Sequence, residues 1–445
     1  MKILLAGLIA LITATWAWHA ASASASAGGG SPAWVARQEA LYLSGLLSIG
    51  LMSLSMFLAA RPVWVERPLG GLDRMYRTHK WAGILAVAFA VLHWLIEMSD
   101  DILKALVGRE GRIAKLKDGG LLESLRHLAE DMGEWAIYAV LAMLALTLWR
   151  RFPYRPWRFL HQVMPLIFLM LAFHAVLLAP ADYWAQPAGW LLTLLLVGGV
   201  YGSVVSLAGR IGRARQVQGS IIAVEQTAAD VVSVTCQLNP GWRGHRPGQF
   251  AFVTFDPGEG AHPFTLAGAD HGHRRVRFEI KALGDYTGNL ANRLRIGQGM
   301  TLEGPYGCFD FARHNPKAKQ IWIAGGIGIT PFLAWLEALQ AISGSTPRAD
   351  LHYCTRDRDN DPYVSRLENL CQSLPGIRLQ VHGSRQGEVL KPTTLVAGVE
   401  ASGLAEVWFC GPQGLADSLQ NALQNGLREA GQRHIKFHQE AFALR

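Results

Sequence analysis

Nearly all the long apolar runs of this 445-residue chain lie within residues 1–208. A helix that crosses a bilayer needs ~20 mostly apolar residues, and suitable stretches occur near 3–20, 38–60, 80–98, 134–149, 159–179 and 188–208. From 216 onward the pattern changes to short β-branched runs, glycine turns and amphipathic stretches, as in a water-soluble protein. Composition fits such a mixture: 17% of residues are charged and 50% hydrophobic, where an ordinary soluble protein has about 25% charged. The sequence therefore predicts a multi-domain chain, with a six-helix transmembrane bundle over 1–208 and soluble domains over 216–313 and 317–445.

Charge predicts the orientation. One link carries Arg61, Arg67, Arg74, Arg77 and Lys80, a second carries Arg150, Arg151, Arg155 and Arg158, and Arg210, Arg213 and Arg215 follow the last span. Cytoplasmic links gather Lys and Arg, so these three belong inside. The segments 99–133, of mixed charge, and 180–187, without a basic residue, belong outside. The formal charge of +8 then reflects membrane orientation and not a nucleic-acid partner. All five cysteines, 236, 308, 354, 371 and 410, fall in the soluble half without a CxxC pair, which fits a reducing compartment and excludes a zinc or disulfide framework. The expectation is an integral multi-pass protein of a bacterial inner membrane, its C-terminal part cytoplasmic and its partner the lipid bilayer. Met1-Lys2, an apolar run and AASASASAGGG also resemble a secretory signal; a retained helix is the expectation.

Four histidines stand within the apolar stretches: His79 and His93 in one, His161 and His174 in another. An ionisable group in a span is costly and marks function, and imidazole is a common axial ligand of haem iron. The charge alternation puts His79 and His161 at the inner ends of their helices and His93 and His174 toward the outside. Fourteen residues separate His79 from His93, ~21 Å along a helix and nearly the same face. The thirteen between His161 and His174 leave an angular offset unless the helix is kinked or rewound at Pro165. Two stacked haems, hydrogen-bonded interfacial histidines and a histidine-based ion transporter all remain open at this point.

The soluble half separates into two modules. SIIAVEQ, VVSVTCQL, QFAFVTF and RVRFEIKAL predict a small antiparallel β-barrel over 216–313. QIWIAGG, ADLHYCT, IRLQVHG and EVWFCG alternate with helical stretches and predict a parallel α/β sheet over 317–445. Gly326, Gly328, Thr330 and Pro331 follow one strand and open a helix, where a backbone can approach a dinucleotide phosphate. Arg356 and Arg385 follow later strands and suit a 2'-phosphate, favouring NADPH.

HPFTL at 262–266, GDYTGNL at 284–290, GPYG at 304–307, GGIGITPF at 325–332, CGP at 410–412 and FHQEAF at 437–442 resemble, in order and spacing, the ferredoxin-reductase-like domain of ferric reductases and NADPH oxidases. The membrane half is similar to that superfamily in its histidine spacings. The resemblance implies FAD lying along His262, Pro263, Phe264 and Thr265, with its pyrophosphate at a helix opened by Gly284 and Thr287 and GPYG closing the site. It implies Phe442 as an aromatic cover for the flavin, although here Ala443, Leu444 and Arg445 follow where the oxidases end. It implies NAD(P)H at Gly326, Gly328, Thr330, Pro331, Arg356, Arg385, Cys410, Gly411 and Pro412, with Thr265 and Cys410 in the catalytic roles. The implied cofactors are FAD and two b-type haems. Electrons would pass from cytoplasmic NAD(P)H through FAD, the His79–His161 haem and the His93–His174 haem to a ferric chelate or dioxygen outside. A quinone or periplasmic redox partner, and a cytoplasmic reductase merely anchored by helices, are the alternatives.

Overall fold

The structure is a computed structural model that describes residues 2–24, 31–110, 112, 119–149, 151–341, 347–392, 395, 404–429 and 435–440. It comprises two compact units, Met1–Ile211 and Gly212–Arg445.

The first unit is helical: α1 (Lys2–Ser24), α2 (Pro32–Ala59), α3 (Val63–Leu69), α4 (Leu72–Met98), α5 (Asp100–Val107), α6 (Gly120–Leu148), α7 (Tyr154–His161), α8 (Met164–Leu178) and α9 (Pro187–Leu207). Six stretches among the described residues are long and apolar enough to cross a membrane: Lys2–Ser22, Pro32–Ala59, Leu72–Met98, Gly120–Leu148, Pro156–Leu178 and Pro187–Leu207. The central helix is α2, whose Leu47, Leu51, Met52, Ser53, Ser55 and Met56 are buried. Leu92, Leu95, Leu194 and Val197 on α4 and α9 are exposed, as suits helices facing lipid. Small residues let helices touch at the backbone: a Cβ at Gly202 of α9 would strike the Met56 carbonyl, and one at Gly199 would meet Ser53 and Phe168. The first helix belongs to this packing, with Leu5, Ile12 and His19 buried.

Two features depart from the sequence expectation. Helix α6 starts at Gly120 instead of near 134, and its 29 residues reach ~43 Å, well beyond a ~30 Å hydrocarbon core. Leu, Glu and Ala are good helix formers and carry it past the apolar stretch. The fifth span is two helices, because Gln162 and Val163 interrupt it and Pro165 stands in the first turn of α8, where its missing N–H costs nothing.

The second unit begins with β1 (Gln216–Ala228), β2 (Val231–Leu238), β3 (Phe250–Thr254), β4 (His262–Thr265) and β5 (Arg275–Lys281), then α10 (Asp285–Gly288), α11 (Leu290–Arg293) and β6 (Gly299–Tyr306). These strands form an antiparallel sheet in the order β4-β3-β6-β1-β2-β5. It curls toward closure, since just past β4 the Ala267 N–H donates to the Arg277 carbonyl of β5 at 2.8 Å. Val234, Cys236, Ala251, Val253, Phe278 and Leu302 fill its interior.

A parallel sheet follows, made of β7 (Lys319–Gly325), α12 (Thr330–Gln340), β8 (Ala349–Thr355), α13 (Pro362–Gln372), β9 (Ile377–Gly383), β10 (Ala405–Cys410), α14 (Gln413–Glu429) and β11 (Ile435–Glu440). Its order is β11-β10-β7-β8-β9. Both faces are covered, Trp322, Trp335 and Trp408 on one and Ile323, Val407 and Phe409 on the other, which explains the nearly continuous apolar strands. The direction of winding reverses between β7 and β10, the usual place for a ligand crevice in an open α/β sheet. The barrel and the sheet are joined by polar bonds: the Trp335 indole donates to the Pro247 carbonyl at 3.1 Å, and Glu337 of α12 accepts from Arg277 at 2.6 Å and Arg366 at 2.8 Å.

Candidate functional site

The helix break brings the four histidines into two facing pairs. His79 faces His161 and His93 faces His174, each with ring centroids 6.4 Å apart and planes at 86°. On one unbroken helix the thirteen-residue spacing would have turned one of the pair away. Two imidazoles on opposite sides of one metal, with bonds of ~2.0–2.1 Å, would have centroids ~6.4 Å apart, so the spacing suits a shared ion. Among the described residues no group of three or more His, Cys, Asp and Glu could hold a metal; a metal here would have to bring its other ligands with it.

The rings are oriented from behind. His79 Nδ1 lies 2.8 Å from the Ser55 carbonyl, His93 Nδ1 3.0 Å from the Leu41 carbonyl, and His174 Nδ1 2.8 Å from the Ala129 carbonyl. A ring nitrogen beside a carbonyl oxygen must carry the proton, which leaves Nε2 as the ligating nitrogen. For His161 the support is the Trp157 indole, stacked at 5.0 Å. Close approach needs glycine: a Cβ at Gly133 would overlap the His174 ring, and one at Gly45 would come within 3.2 Å of His93. Neither glycine is singled out by any sequence motif.

In the barrel, β4 carries the HPFT residues. Thr265 is buried, and His262 stacks on Tyr286 at 4.2 Å. The helix expected from Gly284 is instead two single turns, α10 and α11, divided at Asn289. The Thr287 hydroxyl accepts from the Leu283 and Gly284 N–H groups at 2.9 and 3.2 Å, so it is engaged in closing its own turn. Phe442 lies outside the described residues.

In the sheet, the turn Gly326–Ile329 links β7 to α12, with Gly326 at φ 52°. A Cβ at Gly328 would strike the Cys410 carbonyl, and one at Gly411 would meet Gly325 backbone at 3.0 Å. The expected nucleotide residues at the ends of β7 and β10 therefore meet at the reversal of winding. Thr330 and Pro331 are buried, and the Thr330 hydroxyl donates to the Ile327 carbonyl at 3.1 Å, so both build the turn. Arg385 pairs with Asp357 at 2.8 Å. Hydrogen bonds from Asn360, Arg385 and Gln386 hold the Asp357 carboxyl well below the usual range, and Asp357 had no signal in the sequence.

The strand ladders connect the residues expected at the flavin with those expected at the nicotinamide. Phe250 of β3 pairs with both Thr265 and Tyr306, a Cβ at the adjoining Gly307 would lie 3.2 Å from a Glu440 carboxyl oxygen, and Glu440 pairs with Cys410. Burial, helped by the Glu440 charge, pushes the Cys410 thiol up, so it stays protonated. Glu440 is a buried carboxyl beside that thiol. Its signal was its place within FHQEAF.

Residues 44–172 match the family of the ferric reductase like transmembrane component, and residues 216–310 match an FAD-binding domain family. The chain belongs to the ferric reductase and NADPH oxidase superfamily. This superfamily member is a multi-pass membrane protein with an FAD-binding domain. Its transmembrane match includes His79, His93 and His161 and stops two residues before His174. It is similar to the reductase component of propane 2-monooxygenase from Mycolicibacterium smegmatis, 27% identical over 219 residues, 46% of this chain and 62% of that one. It is also similar to respiratory burst oxidase homolog protein E from Arabidopsis thaliana, 26% identical over 48% of this chain and 24% of that one. The chain thus spans less than two thirds of each of these relatives. Among solved structures, flavohemoglobin from Malassezia yamatoensis aligns with 93% of this chain and all of its own at 17% identity and a TM-score of 0.49.

Proposed function

We propose that the chain carries electrons from NAD(P)H, by way of FAD and two b-type haems, across a bilayer to an acceptor on the opposite face, such as a ferric chelate or dioxygen. Bound FAD would supply the change from two-electron to one-electron chemistry, and haem held by paired imidazoles would supply single-electron transfer. His79 and His161 would hold one haem, His93 and His174 the other. The observation that carries this reading is the identical geometry of the two imidazole pairs. A histidine-based transporter would need rings free to change partners, whereas three of these four have Nδ1 fixed on a backbone carbonyl.

Residues of the second unit bind and orient. His262, Pro263, Phe264 and Thr265 would line the flavin, with Gly284 and Thr287 near its pyrophosphate and Phe442 covering it. Gly326, Gly328, Gly411 and Pro412 would admit the nicotinamide dinucleotide, with Thr330 and Pro331 forming the turn. Thr265 would hold a hydrogen bond to the flavin ring, and the protonated Cys410 would exclude water beside the nicotinamide. Arg356 and Arg385 would meet a 2'-phosphate. The basic links favour a cytoplasmic side, in a bacterial inner membrane, for the His79–His161 end of the bundle, so that pair would receive electrons first. Purified protein should contain two haems per FAD and give a low-spin b-type spectrum on reduction. Replacing His93 or His174 by Ala should remove one haem and stop electron delivery while NAD(P)H still reduces FAD. A preparation replete in FAD but without haem absorbance would refute the assignment.

A further inference from the structure

A second buried polar cluster lies at the His93–His174 end of the bundle. His19 of α1 is 3% exposed, and its Nε2 is 2.6 Å from Asp182, which stands in the link after α8 with its side chain half exposed. The Tyr183 ring meets the His19 ring edge-on at 4.3 Å, and Tyr42 of α2 meets Tyr183 at 5.9 Å. Glu39, one turn away on α2, accepts from the Trp16 indole at 3.0 Å. Tyr42 follows Leu41, whose carbonyl orients His93.

Three buried polar atoms here have no hydrogen-bond partner among the described residues: His19 Nδ1, the Tyr183 hydroxyl and Gln186 Oε1. Each such atom costs ~1–3 kcal/mol if left dry, and His19 and Tyr183, whose rings touch, call for a buried water or a polar ligand beside them. Burial, reinforced by the Glu39 charge, pushes the Tyr183 phenol up, so it remains a proton donor. A half-exposed carboxylate, a buried imidazole and a buried phenol, in that order, lead from solvent into the bundle. Trp18 and Trp184, next to His19 and Tyr183, are exposed; indoles of this kind sit at the headgroup level of a bilayer, where a lipid-soluble acceptor presents its polar head.

We propose that Asp182, His19 and Tyr183 form a proton-entry relay at the His93–His174 end, and that the acceptor served there is a quinone, reduced to its hydroquinone. The quinone takes two electrons, delivered singly through the His93–His174 centre, and two protons, each taken from solvent by Asp182 and passed through His19. Ferric chelates, and dioxygen going to superoxide, take electrons without protons and would need no relay. This assignment rests on the electron path proposed above.

The test uses the full-length protein with measured FAD and haem content, NAD(P)H as donor, and either a short-chain ubiquinone analogue or ferricyanide, a one-electron acceptor that takes no proton. Asp182→Asn and His19→Gln should lower quinone turnover by roughly a hundredfold, the loss expected for a positioned proton donor, and raise its solvent deuterium isotope effect. Ferricyanide turnover and haem content should not change. Tyr183→Phe, which deletes one oxygen, should show the same selectivity more weakly. Equal loss of both activities, or loss of neither, would overturn the relay, as would a wild-type protein that reduces ferricyanide or dioxygen but not the quinone. A wild-type protein that lacks haem or reduces none of these acceptors would overturn the electron path itself.

Discussion

Gly133 offers a quantitative test of the His93–His174 pair. A Cβ at Gly133 would sit 2.5 Å from Cε1 and 3.1 Å from Cγ of His174, where ordinary contacts between carbon atoms are ~3.5–4.0 Å. In Gly133→Ala the imidazole must therefore move by ~1 Å. A metal–imidazole bond of ~2.0–2.1 Å tolerates a deviation of ~0.2 Å, so the displaced ring cannot ligate. The fold should survive: alanine gains ~1 kcal/mol of helix propensity over glycine, which offsets an overpacking cost of ~1–3 kcal/mol. The haem-to-FAD ratio should fall from two to one, with the melting temperature nearly unchanged. Gly45→Ala makes a graded comparison, because its Cβ would lie 3.2 Å from His93 and asks for a shift of only a few tenths of an ångström. Gly7→Ala, with nothing within 4 Å, should leave both haems bound. If Gly133→Ala keeps two haems at wild-type affinity, the ring at 174 is not a ligand.

Other outcomes follow from the second unit. Glu337 joins Arg277 of the barrel to Arg366 of α13; burial alone would raise its carboxyl, but the two guanidinium groups hold it below the usual range. Glu337→Gln should cost about 2–3 kcal/mol, read as earlier thermal release of FAD from the full chain. His352 is pushed down to about 4 by burial and by His382 beside it at 3.1 Å. The unfolded imidazole binds a proton below its ordinary value near 6.5 while the folded one does not until about 4. Stability should therefore fall as pH drops through that window, by about 3 kcal/mol at most, and His352→Asn should flatten the melting temperature between pH 7 and 4.5. Asp357→Asn frees Arg385 and should raise the NADPH-to-NADH ratio of kcat/KM severalfold; an unchanged ratio would remove Arg385 from the nucleotide site.

Which features the sequence revealed follows from how local their causes are. Span length, charge alternation and strand pattern are written in consecutive residues, so six helices, an antiparallel sheet and a parallel sheet were all legible. The four histidines were legible as expensive residues, and Pro165 marked where a kink could absorb the thirteen-residue offset; the structure breaks the helix at Gln162 and Val163, just before that proline. Leu290 to Arg293 continue a helical composition beyond Gly284, so the sequence predicts one helix; the backbone at Asn289 divides it into two turns. Gly133, Asp357 and the His19–Asp182 pair were invisible. Each acquires meaning only from a residue brought beside it by packing, His174 to Gly133 and Asp182 to His19 across 163 positions.

The interruption between α7 and α8 also decouples the two ends of the bundle during evolution. On a continuous rod every inserted residue would swing both histidines of the fifth span by ~100° relative to each other. With a turn between them, a change in that connection can retune His161 while α8 keeps His174 against Ala129. The two imidazole pairs can thus diverge in their surroundings without either losing its partner on α4, which remains the single rigid ruler between them.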